Sequence, residues 1–254
     1  MIVLKSPAEI EKMSKAGSIV GEVLEAIKGM IQTEITTKEI ELFADKRIKA
    51  LGGKPAFKGY RGYPASICTS VNEEVVHGIP SSRKLRDGDI ISIDLGVYYD
   101  GFYGDGAVTV PVGKIDDVTA ALLRITEDAL SLGIENAIEG KRVSDISYAI
   151  QSHAEKNGFT VVRTFVGHGI GRELHEEPQI PNYGAPGKGP RLKDGMTLAI
   201  EPMVNTGACE VRVLEDGWTA VTIDGGKSAH FEHTVLVTSG RPIILTKVNH
   251  KTYN

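Results

Sequence analysis

The sequence predicts an α+β fold made of two similar halves. At about 150 residues per domain, a chain of 254 residues is long enough for one large domain or two fused halves. Each half shows two helical patterns followed by strand patterns, which is typical of helices packed on one face of an antiparallel sheet. A sequence repeat links the halves. We therefore predict a single domain over residues 1–254, with halves at approximately 7–110 and 115–237.

The repeat consists of two pairs of similar segments at nearly the same spacing. Residues 85–94 read LRDGDIISID, and residues 192–201, which lie 107 positions later, read LKDGMTLAIE. The helical segment that ends at Gly52 has a counterpart that ends at Gly158, 106 positions later. A duplicated half-domain explains both pairs better than chance does.

Hydrophobic periodicity predicts the individual elements. The first helix is expected over 7–29, and Thr37 is expected to cap a second helix that ends at Gly52–Gly53. The matching helices of the second half are expected over 117–138 and 144–157, the latter capped by Ser144. The predicted strands cover 89–98, 103–110, 196–204 and 229–237.

Composition excludes several classes of protein. The formal net charge is −4, which gives no reason to expect binding to nucleic acid or to an anionic membrane. The apolar runs are far shorter than the roughly 20 residues that span a bilayer, and the first residues lack the pattern of a secretory signal. Cys68 and Cys209 are the only cysteines, too few for a disulfide framework or a four-cysteine zinc site. We expect a cytoplasmic protein.

Four acidic residues lie on the predicted strands, and alternation puts each on the smaller, more polar face. Asp94 and Glu201 are equivalent in the repeat, and Asp105 follows Asp94 across a turn-like segment. The fourth acid is Glu232. Any one of them alone would be read as an ordinary solvated strand residue. Together in one cleft they would raise one another's pKa unless cations compensated the charge.

One histidine completes this set. His168 has a glycine on either side, which leaves its ring accessible. An oxygen-rich set with one imidazole suits Mn²⁺, Fe²⁺, Co²⁺ or Zn²⁺. Two divalent ions would nearly balance four carboxylates, so the sequence predicts a two-metal site.

Five segments carry a resemblance to a known family. They read VNEEVVHGIP, SIDLGVYYDGFYGD, VGHGIGRELHEEPQIPNYG, AIEPM and FEHT in this order, and the chain resembles the type I methionine aminopeptidases over nearly its whole length. That family has the pita-bread fold, in which two related halves surround a two-metal site. The resemblance implies that Asp94, Asp105, His168, Glu201 and Glu232 are the metal ligands, with Asp105 and Glu232 bridging.

The resemblance also implies catalytic roles. A water held between two metals would be the nucleophile, and Glu201 would act as the general base. His175 would contact the scissile carbonyl and His77 the following peptide nitrogen, although a lone histidine is more often structural. The structural interpretation is kept for His153, His230, His233 and His250, with support of Glu232 by His230 or His233 as a further hypothesis.

The expected methionine pocket also follows from the resemblance. It comprises aromatic, aliphatic and thiol side chains that suit a polarizable thioether, namely Phe57, Tyr60, Tyr63, Cys68, Leu174 and Trp218. Some of these residues would equally fit an ordinary core. Leu174 stands where relatives often have an aromatic residue, and Gly96 and Gly106 also depart from the family pattern. These departures put the pocket shape and the hydrogen bonds around the ligands in question.

The implied activity is the removal of the initiator methionine from nascent proteins whose second residue is small. Transient ribosome association and a monomeric state are expected from the family, whereas the metal used in the cell is not readable from the sequence. The alternatives are an Xaa-Pro peptidase on the same scaffold, which Trp218 and the YRGYP segment at 60–64 argue against, and a non-catalytic binding relative. The latter would be expected to have lost a ligand, and all five are present.

Overall fold

The computed structural model of the chain describes residues 2–247, so His250 lies outside the described residues. The helices are α1 (Pro7–Lys28), α2 (Thr37–Ala50), α3 (Asp117–Glu135) and α4 (Val143–Lys156), with a 3₁₀ turn at Tyr60–Gly62. The strands of the first half are β1 (Lys54–Pro55), β2 (Cys68–Val71), β3 (Glu74–Val76), β4 (Ile90–Tyr99) and β5 (Phe102–Pro111). Those of the second half are β6 (Thr160–Val161), β7 (Val166–Gly169), β8 (Glu176–Pro181), β9 (Thr197–Ile200), β10 (Met203–Asn205), β11 (Val211–Val213), β12 (Ala220–Thr222), β13 (Ser228–His230), β14 (Glu232–Leu236) and β15 (Ile243–Ile244).

One nine-stranded antiparallel sheet joins the two halves. Its main path runs β1-β4-β5-β14-β9-β7-β8, with β2 added beside β4 and β15 beside β14. Two three-stranded sheets, β13-β10-β6 and β11-β12-β3, complete the strands of the described residues. Since β5 of the first half pairs with β14 of the second, the sheet is continuous across the middle of the molecule.

The four helices cover one face of this sheet, as predicted. The main apolar cluster contains buried residues of all four helices together with residues of two strands, Ile93 and Leu95 of β4 and Leu198 and Ile200 of β9. Asp94 lies between Ile93 and Leu95, so alternation turns its side chain to the opposite face. The α+β class predicted from the sequence is confirmed, and the acids lie on the side away from the helices.

Two of the predicted helix caps were wrong by one or two residues. The N-cap of α2 is Thr36, whose Oγ1 accepts from the Glu39 amide at 3.2 Å, whereas Thr37 is already helical. The N-cap of α4 is Arg142, whose amide donates to Asp145 at 2.8 Å. Ser144 donates instead to the Lys188 carbonyl at 2.8 Å. In both helices an acidic residue at the third helical position accepts from the cap amide, which is the stronger local signal.

Two predicted strands are each broken into two. The strand expected over 196–204 stops at Ile200 and resumes at Met203, because Pro202 has no amide hydrogen to donate. The strand expected over 229–237 is interrupted at Phe231, whose amide donates to the Pro202 carbonyl at 3.3 Å. The two breaks face each other, and at each of them the chain passes between the large sheet and a small one. Glu201 therefore lies just after a strand rather than inside it.

None of the helices within residues 2–247 combines the length and the apolar composition needed to cross a membrane.

Close contact between α1 and β5 gives a testable consequence for stability. A Cβ on Gly104 would lie 2.8 Å from the Gly17 amide nitrogen, so helix and strand backbones meet without an intervening side chain. We expect Gly104→Ala to lower the free energy of unfolding by about 1–3 kcal/mol, the usual cost of overpacking. Urea unfolding in the presence of a chelator measures this. Gly240→Ala is the matched control, because the nearest atom to its Cβ lies at 3.9 Å. Equal stability of the two variants would contradict the close packing.

Candidate active site

A single cavity collects residues from both halves of the chain. Every residue that the sequence predicted for the site lines it: Phe57, Tyr60, Tyr63, Cys68, His77, Asp94, Asp105, His168, Leu174, His175, Glu201, Trp218 and Glu232. The structure adds Arg61, which sequence analysis missed. Its position next to Tyr60 in the YRGYP segment was the available signal.

Strand register brings the five predicted ligands together. Asp94 on β4 and Glu232 on β14 both pair with Ala107 of β5, and Asp105 lies two residues before Ala107. His168 on β7 pairs with Ala199, two residues before Glu201. Asp105, His168 and Glu232 each offer one potential ligand atom, and these three atoms lie within 4.8 Å of one another. Glu201 Oε1 lies 3.6 Å from His168 Nε2.

These carboxylates have little contact with water, and two of their oxygens have no hydrogen-bond donor. Asp105 and Glu232 are only 3% and 2% exposed. Asp94 Oδ1 and Glu232 Oε1 have no hydrogen-bond partner among the described residues. Burial raises the pKa of Asp105 to about 7. Burial also raises the pKa of Asp94, Glu201 and Glu232 well above the ordinary values, and neighbouring carboxylates raise the pKa of each further.

The donor set fits divalent cations. Buried carboxylate oxygens without hydrogen-bond partners have a large electrostatic cost, and a divalent ion is the group that would offset it. Oxygen-rich sites with one imidazole are typical of Mn²⁺, Fe²⁺, Co²⁺ and Zn²⁺.

His168 has its ring nitrogens fixed in roles that suit a ligand. Its Nδ1 lies 2.9 Å from the Gly169 carbonyl oxygen, to which it donates, so Nε2 keeps its lone pair on the side of Glu201. Burial lowers the pKa of His168 to about 4, and the ring is therefore neutral at physiological pH.

The surroundings of the acids are equally ordered. Thr234 Oγ1 accepts from the Asp105 amide at 2.9 Å and donates to the Asp105 carbonyl at 2.8 Å, which fixes the backbone at this residue. His230 Nε2 lies 3.5 Å from Glu201 Oε2. His233 turns away from the cavity, and its Nδ1 lies 2.7 Å from Thr246 Oγ1. Of the two histidines considered as support for the acids, His230 therefore lies beside one, although that acid is Glu201 rather than Glu232.

The two histidines expected to contact substrate both line the cavity. His77 has a φ of 62°, a left-handed conformation that is rare for a residue with a side chain and is typical of functional sites. Its ring makes edge contacts with Phe165 at 5.3 Å and with Trp218 at 6.5 Å between centroids. The ring centroids of His175 and His168 lie 4.2 Å apart. Partial desolvation in the cavity wall lowers the pKa of His175, and the neighbouring His168 lowers it further.

The residues expected to form the methionine pocket belong to one apolar cluster. Phe57, Tyr63, Cys68 and Leu174 are buried in it, and Tyr60 and Trp218 pack against it. Burial raises the pKa of the Cys68 thiol well above its usual value, which agrees with a pocket or core thiol rather than a nucleophile.

Two departures from the family pattern have a steric explanation. A Cβ on Gly96 would lie 2.7 Å from Phe57 Cε1, so this phenylalanine needs a glycine opposite it. A Cβ on Gly106 would lie 2.9 Å from Val20 Cγ1 of α1. The Gly106 amide donates to Asp105 Oδ1 at 3.1 Å, so this position still supplies a hydrogen bond to the acid.

Crowding of the buried acids predicts a stability gain when one is neutralised. We expect Asp94→Asn to raise the melting temperature of the chelator-treated protein at neutral pH, because the amide needs neither protonation nor a counter-charge. Each kcal/mol gained corresponds to about 2–4 °C for a chain of this size. Differential scanning calorimetry measures the shift, with the exposed Asp117→Asn as a control. A lower melting temperature for Asp94→Asn alone would show that the carboxylates do not strain the folded state.

The chain matches known proteins over almost its entire length. Residues 11–239 match the model of Metallopeptidase family M24. The chain is 54% identical to methionine aminopeptidase 1 of Bacillus subtilis over 248 residues, which cover 98% of this chain and all of the relative. The crystal structure of methionine aminopeptidase from Thermotoga maritima superimposes with a TM-score of 0.96 at 52% identity, covering 97% of this chain and 100% of that one.

A more distant likeness shows the shared scaffold. Prolidase from Pyrococcus furiosus superimposes with a TM-score of 0.80 at 25% identity, over 98% of this chain and 66% of the prolidase. The pita-bread fold is therefore confirmed, and the identities favour the methionine aminopeptidases over the peptidases that act on Xaa-Pro bonds. The chain belongs to metallopeptidase family M24, among its methionine aminopeptidases.

Proposed function

We propose that this chain removes the initiator methionine from nascent proteins whose second residue is small, and that the residues of the cavity act in the roles described below. The observation that carries the proposal is the meeting of four carboxylates and His168 beside one apolar pocket. Family membership supports the reaction class, and the geometry of the cavity supports the role proposed for each residue.

The metal-binding residues in this proposal are Asp94, Asp105, His168, Glu201 and Glu232. Asp105 and Glu232 would lie at the centre of the set that holds two divalent ions, because they are the most buried of the acids and lie on adjacent strands at the middle of the set. Such ions, when bound, lower the pKa of water and polarise a peptide carbonyl.

Glu201 is proposed as the general base that moves a proton from the attacking water to the leaving amine. Its side chain is 13% exposed and lines the cavity, so part of the carboxylate faces the space that water and substrate would enter. His230 Nε2 lies 3.5 Å from its second oxygen without a hydrogen bond between them. A carboxylate within reach of the reacting water is what proton transfer needs.

His175 and His77 are proposed to hold the peptide group on either side of the scissile bond. The pKa of each is lowered by desolvation in the cavity, which favours the neutral ring. A neutral imidazole can donate one hydrogen bond without adding charge beside the metal ligands. We assign His175 to the scissile carbonyl, where negative charge develops in the transition state, and His77 to the following peptide nitrogen.

The methionine side chain is proposed to enter the apolar end of the cavity. Tyr63 and Trp218 meet there edge to face, with ring centroids 5.1 Å apart, and Phe57, Tyr60, Cys68 and Leu174 complete the walls. The substrate is a free N-terminus, with a small second side chain lying close to the acids. We place this activity in the cytoplasm, where such chains emerge. Transient contact with the ribosome, a monomeric state and a single catalytic domain over 1–254 stay predictions.

Conservative changes of two ligands test the proposal. We expect Asp105→Asn and Glu201→Gln to lose at least about 10²-fold in turnover of Met-Ala-Ser, because each removes a charge from the reacting site while keeping its shape. Circular dichroism checks folding, and calorimetric titration with Mn²⁺ measures binding. Glu127→Gln, an exposed change on α3, is the control. Near-normal turnover by either site variant would overturn the assignment of the ligands.

The role of His175 makes a separate kinetic prediction. A donor that acts mainly on developing charge stabilises the transition state more than the ground state. We expect His175→Ala to lower kcat by about 10²–10³-fold with a much smaller change in KM. Steady-state kinetics on Met-Ala-Ser measures both constants. The opposite pattern, a raised KM with unchanged kcat, would make His175 a residue of ground-state binding.

A further inference from the structure

Tyr60 makes two contacts with His175 that a wall of an apolar pocket does not require. The rings are stacked, with centroids 5.3 Å apart and planes inclined by 22°. The phenolic oxygen of Tyr60 lies 2.9 Å from His175 Nδ1, within hydrogen-bond distance. The two residues are separated by 115 positions and come from different halves, so the contact spans the cavity from one half to the other.

The turn that carries Tyr60 is tightly constrained. Its backbone is closed by hydrogen bonds from the Gly59 amide to the Tyr63 carbonyl at 2.8 Å, from Tyr60 to Phe57 at 2.9 Å and from Tyr63 to Tyr60 at 2.9 Å. Tyr63 in turn donates its hydroxyl to the Gly78 carbonyl at 2.9 Å. The guanidinium of Arg61 lies 5.4 Å from the centre of the Tyr60 ring. A hydroxyl on such a turn is held in place before substrate arrives.

A hydrogen bond to one ring nitrogen of a histidine decides what the other nitrogen does. When a hydroxyl donates to Nδ1, the neutral ring must carry its proton on Nε2. No hydrogen bond to His175 Nε2 occurs among the described residues, and the ring lines the cavity. The result is an N–H donor at the edge of the ring that is free to meet a substrate oxygen.

We propose that Tyr60 is the positioning residue of His175, whose hydroxyl donates to Nδ1 and so presents the Nε2–H group to the scissile carbonyl of the substrate. The inference rests on the proposed function, in which His175 donates to that carbonyl. It gives the hydroxyl of Tyr60 a task that differs from the apolar contact of its ring with methionine. The two tasks are separable, because phenylalanine keeps the ring and lacks the hydroxyl.

Kinetics of Tyr60→Phe is the first test. If the hydroxyl positions His175, kcat on Met-Ala-Ser falls about 10–100-fold, as expected for a misplaced catalytic group, and KM stays close to the wild-type value. Tyr148→Phe, the same chemical change at an exposed site on α4, serves as the control. Unchanged kinetics, or a raised KM with unchanged kcat, would show that Tyr60 is only a wall of the pocket.

A double-mutant cycle distinguishes this role from general damage to the site. In a His175→Ala background, Tyr60→Phe should cost little further activity, because the residue through which the hydroxyl acts is gone. Independent, additive losses would overturn the proposal. Full activity of His175→Ala itself would instead overturn the proposed role of His175, so the two failures are distinguishable.

The ring nitrogens provide a readout that does not depend on turnover. In the protein loaded with diamagnetic Zn²⁺ and labelled with ¹⁵N-histidine, His175 should show a protonated Nε2 and an unprotonated Nδ1. Tyr60→Phe should change these shifts toward a mixture of the two neutral forms, whereas the shifts of His168 stay in place. A protonated Nδ1 in the wild-type protein, or the same His175 shifts in both proteins, would contradict the proposal.

Discussion

The burial of four carboxylates around one point is the constraint on which the rest of this structure depends. Asp94, Asp105, Glu201 and Glu232 all reach one cavity, where burial raises the pKa of each. Such a set is unfavourable unless positive charge offsets it and the surrounding backbone holds it rigidly. The neutral His168 ring and the two hydrogen bonds between Thr234 Oγ1 and the Asp105 backbone, one accepted and one donated by the hydroxyl, are parts of that rigid surrounding. A fold that keeps such acids together retains an electrostatic cost that bound cations or protonation would offset.

The sheet supplies the rigidity. The long hairpin of β4 and β5 keeps ten residue pairs in register from Ile90–Pro111 to Tyr99–Phe102, so Asp94 and Asp105 cannot move independently. The pairing of β5 with β14 then ties the acids of the first half to Glu232 of the second. Helix α1 lies directly on the hairpin at Gly104, which leaves the acidic face as the open one. The position of the cavity therefore follows from which face the helices cover.

Much of the site was predictable because its chemistry lies in short segments. The four acids were found from strand alternation, Asp94 and Glu201 also from the repeat, and His168 from its flanking glycines, and all five line the same cavity. The details that depend on contacts between distant residues were not accessible. The break of the predicted strand after Ile200 involves a bond between the amide of Phe231 and the carbonyl of Pro202, although Pro202 itself was a visible signal. The turn that places Arg61 in the cavity requires a left-handed backbone at this residue, with a φ of 50°. A hydrophobic pattern does not encode such a backbone angle. The closeness of His230 to Glu201, 3.5 Å between Nε2 and Oε2, likewise arises only when separate strands come together.

Metal-dependent release of methionine is the activity that the residues of this cavity should support. In the most direct test, the protein is stripped of metal with a chelator, Mn²⁺ or Co²⁺ is restored, and hydrolysis of Met-Ala-Ser, Met-Lys-Ser and an Xaa-Pro peptide is compared. We expect methionine release from Met-Ala-Ser alone, and only after metal is restored. Cleavage of the Xaa-Pro peptide instead would agree with the assigned metal ligands but contradict the assigned methionine pocket. Tight metal binding without cleavage of any peptide would contradict the proposed function itself.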